Sequence, residues 1–134
     1  MGLPGWDLST KAGVRRAVEE IRQQLAKGKK ILLWAALPCT SWCTWQNVNE
    51  QHGVEARQKL EIARRHSLIM IRNFKFVLRK ALELGGDDVI AAYEWPRAAP
   101  GWRLPETRDL VKTLPHRCNF DGCQYGLMTT AGYV

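Results

Sequence analysis

The chain has 134 residues, of which 46% are hydrophobic and 25% charged, and its formal net charge is +7. This balance is typical of a globular protein rather than a disordered one, and the length suits a single domain spanning residues 1–134. The positive charge favours polyanionic partners, with a merely solubilising surface as the alternative. Because no apolar stretch approaches the roughly 20 residues of a membrane helix and the N-terminus lacks a secretory signal, we expect an intracellular protein, nuclear or cytoplasmic, with no membrane partner.

The first two predicted elements are a helix and a buried strand. Ser9 or Thr10 can cap a helix whose apolar positions recur at steps of three and four until Gly28. The next element, "ILLWAAL" at 31–37, is seven consecutive apolar residues without alternation. Such a run predicts a strand that is buried on both faces of a parallel sheet.

A long amphipathic helix is predicted over 54–84. Apolar and small residues recur there on one face, and basic residues project from the other. The candidate nucleic-acid-binding residues on this basic stripe are Arg65, Arg72, Lys75 and Arg79. A solvated surface is the alternative interpretation of the same pattern.

A second buried strand is predicted at 88–94, and the helix between the two strands makes a βαβ unit with parallel strands. The carboxyl ends of both strands then lie at one edge of the sheet, where open α/β sheets bind ligands. A short helix is expected in "ETRDLVKTL" and a strand pair in residues 118–134. The predicted fold is an incomplete Rossmann-like three-layer α/β sandwich with a mostly parallel sheet, a fragment of a larger protein.

The four cysteines form the spacings C-x3-C and C-x4-C, which are unlike those of structural zinc sites, so no metal site is predicted. Cys39 follows the first strand and Glu94 ends the second. At a shared sheet edge, a Cys39 thiolate could act as a nucleophile and Glu94 as its acid. In the alternative interpretation, Cys39 packs in the core while Glu94 caps a loop or pairs with Arg97.

The segment "PCTSWC" resembles the proline-cysteine loop of DNA cytosine-5 methyltransferases, and Glu94 stands where that family's glutamate motif ends the next strand. The resemblance implies that Cys39 is the nucleophile that adds to a flipped-out cytosine and that Glu94 engages the ring. The candidate substrate-binding residues around them are Pro38, Trp42, Cys43, Gln46, Asn47, Trp95 and Arg97.

That family opens its cofactor site with a glycine-rich loop that this sequence does not contain. S-adenosylmethionine is therefore expected as a cofactor only if a cofactor loop is supplied outside this chain. Over roughly residues 5–134, the chain is also similar to a domain of Copia-like retroelement polyproteins, because "PCTSWCTWQN", "YEWPRAAPGW" and "FDGCQYGL" occur in that order. This similarity implies the remaining segments of a polyprotein as partners.

Four tryptophans lie near the proline-cysteine loop and the glutamate motif: Trp42, Trp45, Trp95 and Trp102. They could stack on extruded bases, or they could cover the end of the sheet as part of the core. Gln46 and Asn47 could read base edges or cap a helix. The predicted function is a nucleic-acid-binding, retroelement-derived domain that resembles a degenerate cytosine-5 methyltransferase core. The alternatives are an active S-adenosylmethionine-dependent methyltransferase fragment and a non-catalytic structural interaction domain.

Overall fold

The structure, a computed structural model, describes residues 6–121. Helix α1 (Lys11–Ala26) leads to strand β1 (Ile31–Ala35), and the short helix α2 (Gln46–Asn49) precedes the long helix α3 (Val54–Gly85). Strand β2 (Val89–Tyr93) and helix α4 (Pro105–Val111) follow. The chain is therefore a mixed α/β protein, as predicted, and α3 runs without a break.

Local signals in the sequence explain where the helices begin and end. The Thr10 side chain caps α1 by accepting a 3.0 Å hydrogen bond from the backbone N–H of Gly13. Gly28, with φ of +74°, turns the chain out of α1 in a conformation that residues with a Cβ rarely adopt. Helix α4 begins with Pro105 at its first position, where a missing N–H costs no helical hydrogen bond.

The two strands are adjacent and parallel, which confirms the predicted pairing. Ile31 is aligned with Val89 and Ala35 with Tyr93, with no offset between them. Helix α3 connects the strands and packs with α1 on one face of this sheet. The carboxyl ends of β1 and β2 therefore do share one edge, which we call the carboxyl edge.

The core lies between the sheet and these helices, in two neighbouring clusters. The larger cluster joins the end of β1 to α3 and α4 and consists of Ala35, Leu37, Ile71, Phe74, Leu78, Trp95 and Leu110. The smaller one joins α1 to α3 and β2 and consists of Val14, Ile21, Val77, Ala81 and Val89.

The opposite face of the sheet differs from the sequence prediction of strands buried on both sides. Leu32 and Ile90 are register partners on this face, each 63% exposed, and Trp34 is 60% exposed. The strands are continuously apolar, but within residues 6–121 helices cover only one of their faces. The part of the chain that the structure describes thus has two layers, where the sequence predicted three.

The predicted strand pair at 118–134 lies largely outside the described residues. Residues 118–121 form no regular structure. Among the helices of residues 6–121, none combines the length and the hydrophobicity that a membrane span requires.

Candidate nucleic-acid interface

The carboxyl edge is held together by an aromatic cluster. Tyr93, the last residue of β2, contacts the rings of Phe74, Trp95 and Trp102, with centroid distances of 5.5 to 6.2 Å. Trp95 and Trp102 also meet edge-on at 5.9 Å. This cluster fixes the chain that follows β2, so that residues 96–104 leave the sheet in a defined direction.

Two indole hydrogen bonds complete this framework. Trp95 is 6% exposed and its Nε1 donates to the carbonyl oxygen of Leu37 at 2.6 Å. Trp102 is half-buried and its Nε1 donates to the carbonyl oxygen of Pro96 at 2.8 Å. Both indoles therefore belong to the framework of this edge, since their N–H groups are already hydrogen-bonded.

The loop after β1 is fastened to α3 rather than left open. Trp42 donates from Nε1 to the Ser67 hydroxyl oxygen at 2.9 Å. The guanidinium of Arg64 lies over the Trp42 ring, 5.5 Å from its centroid, and donates to the Ser41 carbonyl oxygen. An ion pair of 2.7 Å between Arg64 and Glu50 adds to this anchor.

Gln46 is a structural residue of the same loop. It is buried, its Nε2 donates to the Thr40 carbonyl oxygen at 2.8 Å, and its Oε1 accepts from Asn49 at 2.9 Å. Both ends of the amide are thus engaged within the loop. Asn47, by contrast, is exposed.

Cys39 and Glu94 both lie at the carboxyl edge, where they were predicted. The backbone N–H of Glu94 donates to the carbonyl oxygen of Ala35 at 2.9 Å, and the Glu94 side chain is exposed. Cys39 is half-buried against the larger core cluster. No hydrogen bond joins the two side chains, and neither residue lines the apolar groove or the arginine pocket described below.

Cys39 and Tyr93 pack against the same core cluster. Burial raises the pKa of Tyr93 far above its ordinary value, and negative charge on the Cys39 sulfur would raise it further. The Tyr93 hydroxyl is buried and has no hydrogen-bond partner among residues 6–121.

Two further predicted site residues lie in the loop after β1. Cys43 is half-buried there, and Pro38 is exposed.

The basic stripe of α3 is neutralised by acidic partners. Each of its four residues has a carboxylate within ion-pair distance; the pairs are Arg65 with Glu61, Arg72 with Glu106, Lys75 with Asp109, and Arg79 with Glu83. Two of these carboxylates belong to α4, which packs against the stripe. The stripe therefore presents little net positive charge to a polyanion.

Unpaired positive charge lies instead beside the aromatic cluster. Arg97, Arg103 and Arg117 line one concave site of about 310 Å³, which we call the arginine pocket. Trp102 and Thr44 form part of its wall, and no acidic residue lines it. All three arginines are exposed, and within residues 6–121 none of them forms an ion pair.

The sequence prediction included Arg97 but missed Arg103 and Arg117. Arg103 could have been found, because it lies in the same proline-rich segment as Arg97. Arg117 comes 20 residues after Arg97, beyond α4, and no local pattern indicates that it returns to the same pocket.

A second concavity, the apolar groove, runs along the free side of β1. It has a volume of about 620 Å³ and is lined mostly by apolar residues of β1, α1 and α3. In the described part of the chain, no three His, Cys, Asp or Glu side chains are close enough to hold a metal ion. Comparisons of the chain with protein-family models, curated proteins and solved structures found no match.

Proposed function

We propose that this chain is a nucleic-acid-binding domain whose binding site is the arginine pocket at the carboxyl edge. The observation that carries the proposal is that Arg97, Arg103 and Arg117 surround one concavity without an acidic neighbour in its lining. The exposed arginines of the basic stripe, by contrast, have carboxylate partners. Positive charge is thus left uncompensated at the edge where open α/β sheets bind their ligands.

Phosphate is the ligand chemistry that fits this arrangement. A guanidinium presents several N–H donors in a planar fork that matches the oxygens of a phosphate, and it stays charged at any physiological pH. Three arginines that line one concavity without an acidic neighbour repel one another until an anion screens their charges. A polynucleotide also gains from counterion release, which favours it over a single free phosphate.

The resemblance to Copia-like retroelement domains and to cytosine-5 methyltransferases supports the same class of ligand. We propose a retroelement-derived domain with a degenerate methyltransferase-like core that retains contact with nucleic acid. The corresponding complete fold would be a Rossmann-like sandwich with further strands and a second helical layer. In support, the exposed face of the sheet carries Leu32, Trp34 and Ile90, whereas parallel sheets are normally covered on both faces.

Fluorescence anisotropy with a labelled oligonucleotide at low salt tests the proposed site. The variants are Arg97→Glu in the pocket and Arg79→Glu on α3; both replace an exposed arginine and change the net charge equally. We expect Arg97→Glu to weaken binding about ten-fold or more and Arg79→Glu about two-fold or less, because only Arg97 contacts the ligand. Equal losses in the two variants would show that net charge alone governs binding and would reject the pocket.

A further inference from the structure

The four tryptophans near the carboxyl edge are not equivalent. The indoles of Trp42, Trp95 and Trp102 donate hydrogen bonds to the Ser67 hydroxyl oxygen and to the carbonyl oxygens of Leu37 and Pro96. Trp45 is 75% exposed, and its ring forms no hydrogen bond or ring contact with any other residue of 6–121. Trp45 is therefore the most exposed indole of this group, and its ring has no partner within residues 6–121.

The backbone that carries Trp45 is rigidly held. Its carbonyl oxygen accepts hydrogen bonds from the backbone N–H groups of Val48 at 3.1 Å and Asn49 at 3.3 Å. The next residue, Gln46, is buried and bonded at both ends of its amide. The backbone of Trp45 thus has a fixed position, so no loop ordering adds to the entropy cost of binding.

Trp45 directly follows a residue of the arginine pocket in the chain. The preceding residue, Thr44, lines that pocket together with Arg97 and Arg103. A ligand that occupies the pocket and extends past Thr44 therefore comes to the exposed residue Trp45. In a single strand, a base flanking those phosphates is free to stack on an aromatic ring, whereas in a duplex both faces of each base are already stacked.

We propose that the site binds single-stranded nucleic acid in preference to duplex, with one unpaired base stacked on Trp45 and neighbouring phosphates in the arginine pocket. This inference rests on the proposed function, because it assigns the strandedness of the ligand at the same site. Stacking is indifferent to base identity, so the preference concerns strandedness rather than sequence.

The test compares the affinities of Trp45→Ala, Trp45→Phe and Trp34→Ala for single-stranded oligothymidylate of about twelve nucleotides and for a duplex of similar charge. Trp34 is the matched control, since it is 60% exposed but lies on the open face of the sheet. We expect Trp45→Ala to weaken single-strand binding by about five- to hundred-fold and to leave duplex binding unchanged. Trp45→Phe should retain most of the affinity, and Trp34→Ala should bind like the wild type.

An abasic oligonucleotide of the same length separates stacking from phosphate contact. It should bind wild-type protein about as weakly as oligothymidylate binds Trp45→Ala, and Trp45→Ala should not weaken it further. Circular dichroism and the thermal midpoint of each variant should match the wild type, because Trp45 packs against no core cluster.

Three results would overturn the inference. Equal single-strand affinities of Trp45→Ala and Trp34→Ala would show that no base stacks on Trp45. Equal losses on single-stranded and duplex ligands would remove the preference for single strands. In both of these cases the proposed function stands if Arg97→Glu still weakens binding. The third result is that Arg97→Glu has no effect on binding; both the inference and the proposed function then fail.

Discussion

The indole Nε1 of Trp95 donates a 2.6 Å hydrogen bond to the carbonyl oxygen of Leu37, 58 residues earlier in the chain. Leu37 lies just beyond β1, and Trp95 lies just beyond β2. The bond therefore ties together the two segments that leave the carboxyl edge. Arg97 of the arginine pocket follows Trp95 by two residues. The same bond therefore gives the pocket a defined position relative to the loop after β1.

The packing of Gly101 against Trp95 predicts the effect of a substitution beneath the arginine pocket. A Cβ at Gly101 would lie 2.2 Å from Cζ3 of the Trp95 ring. Because Trp95 is buried and hydrogen-bonded, the ring has no free space to move into, and Gly101→Ala should destabilise the protein by about 1–3 kcal/mol. Urea unfolding of the purified variant measures the loss.

A double-mutant cycle identifies the cause of that loss. Phenylalanine lacks the part of the indole that the new Cβ would meet, so the cost of Gly101→Ala should be smaller in a Trp95→Phe background than in the wild type. Additive effects of the two substitutions would contradict the steric explanation.

The Tyr93 hydroxyl predicts a difference in stability at alkaline pH. Burial raises the pKa of Tyr93 above its ordinary value of 10.0, so the folded state keeps its proton after the unfolded state has lost it. The unfolded state then binds fewer protons, and the free energy of unfolding falls as the pH rises above about 10. Tyr93→Phe should remove this contribution, so its stability should fall less steeply over that range.

Thermal unfolding of wild type and Tyr93→Phe between neutral pH and about pH 11 measures this difference. At neutral pH the variant should be as stable as the wild type or slightly more so, since the lost hydroxyl has no hydrogen-bond partner among residues 6–121. Parallel stability curves for the two proteins would contradict the assigned environment of Tyr93.

The ion pair between α3 and α4 predicts a difference at acid pH. Arg72 lies 2.6 Å from Glu106, and its hydrogen bond lowers the pKa of that carboxyl below the ordinary value of 4.5. The resulting stabilisation is fully present above about pH 4.5 and is lost as the pH falls through the lowered pKa. Glu106→Gln should therefore lose less stability than the wild type on acidification.

The size of this effect should be small, because Arg72 is 63% exposed and solvent screens the pair. Glu55→Gln, which affects an exposed pair within α3, serves as the control. The measurement is the free energy of unfolding of each variant between about pH 6 and pH 3. If Glu106→Gln and Glu55→Gln change its pH dependence equally, the ion pair between α3 and α4 contributes no more to stability than an ordinary surface pair.

The cysteines predict an order of labelling by a thiol reagent. Cys118 is exposed, whereas Cys39 is half-buried against the larger core cluster. Exposure and thiolate character govern the rate, so a binding domain without a reactive nucleophile should be labelled at Cys118 first. Peptide mapping by mass spectrometry reads out the order; faster labelling of Cys39 would indicate an activated thiolate and would favour the enzyme interpretation.

Elements with a strong local pattern were predictable from the sequence. The helix predicted at 54–84 is observed at Val54–Gly85, and the two strands are parallel and adjacent. Their hydrophobic periodicity and the helical connection between them carry this information. The exposed outer face was not predictable, because a continuously apolar strand does not show which of its faces is covered.

The electrostatics of the site depended on tertiary contacts and could not be predicted. The basic stripe was visible in the sequence, but two of its carboxylate partners lie on α4, more than 30 residues away along the chain. The arginine pocket likewise combines residues from three separate segments. Only the fold determines which of the 20 basic side chains remain without a partner.

The salt dependence of oligonucleotide binding tests the central claim most directly. Two triple variants remove the same charge: Arg97→Gln, Arg103→Gln and Arg117→Gln in the pocket, and Arg65→Gln, Arg72→Gln and Arg79→Gln on the stripe. If the pocket holds the phosphates, the pocket variant should flatten the slope of log Kd against log salt by roughly two to three units, while the stripe variant keeps the wild-type slope. A flattened slope for the stripe variant with an unchanged slope for the pocket variant would contradict the account.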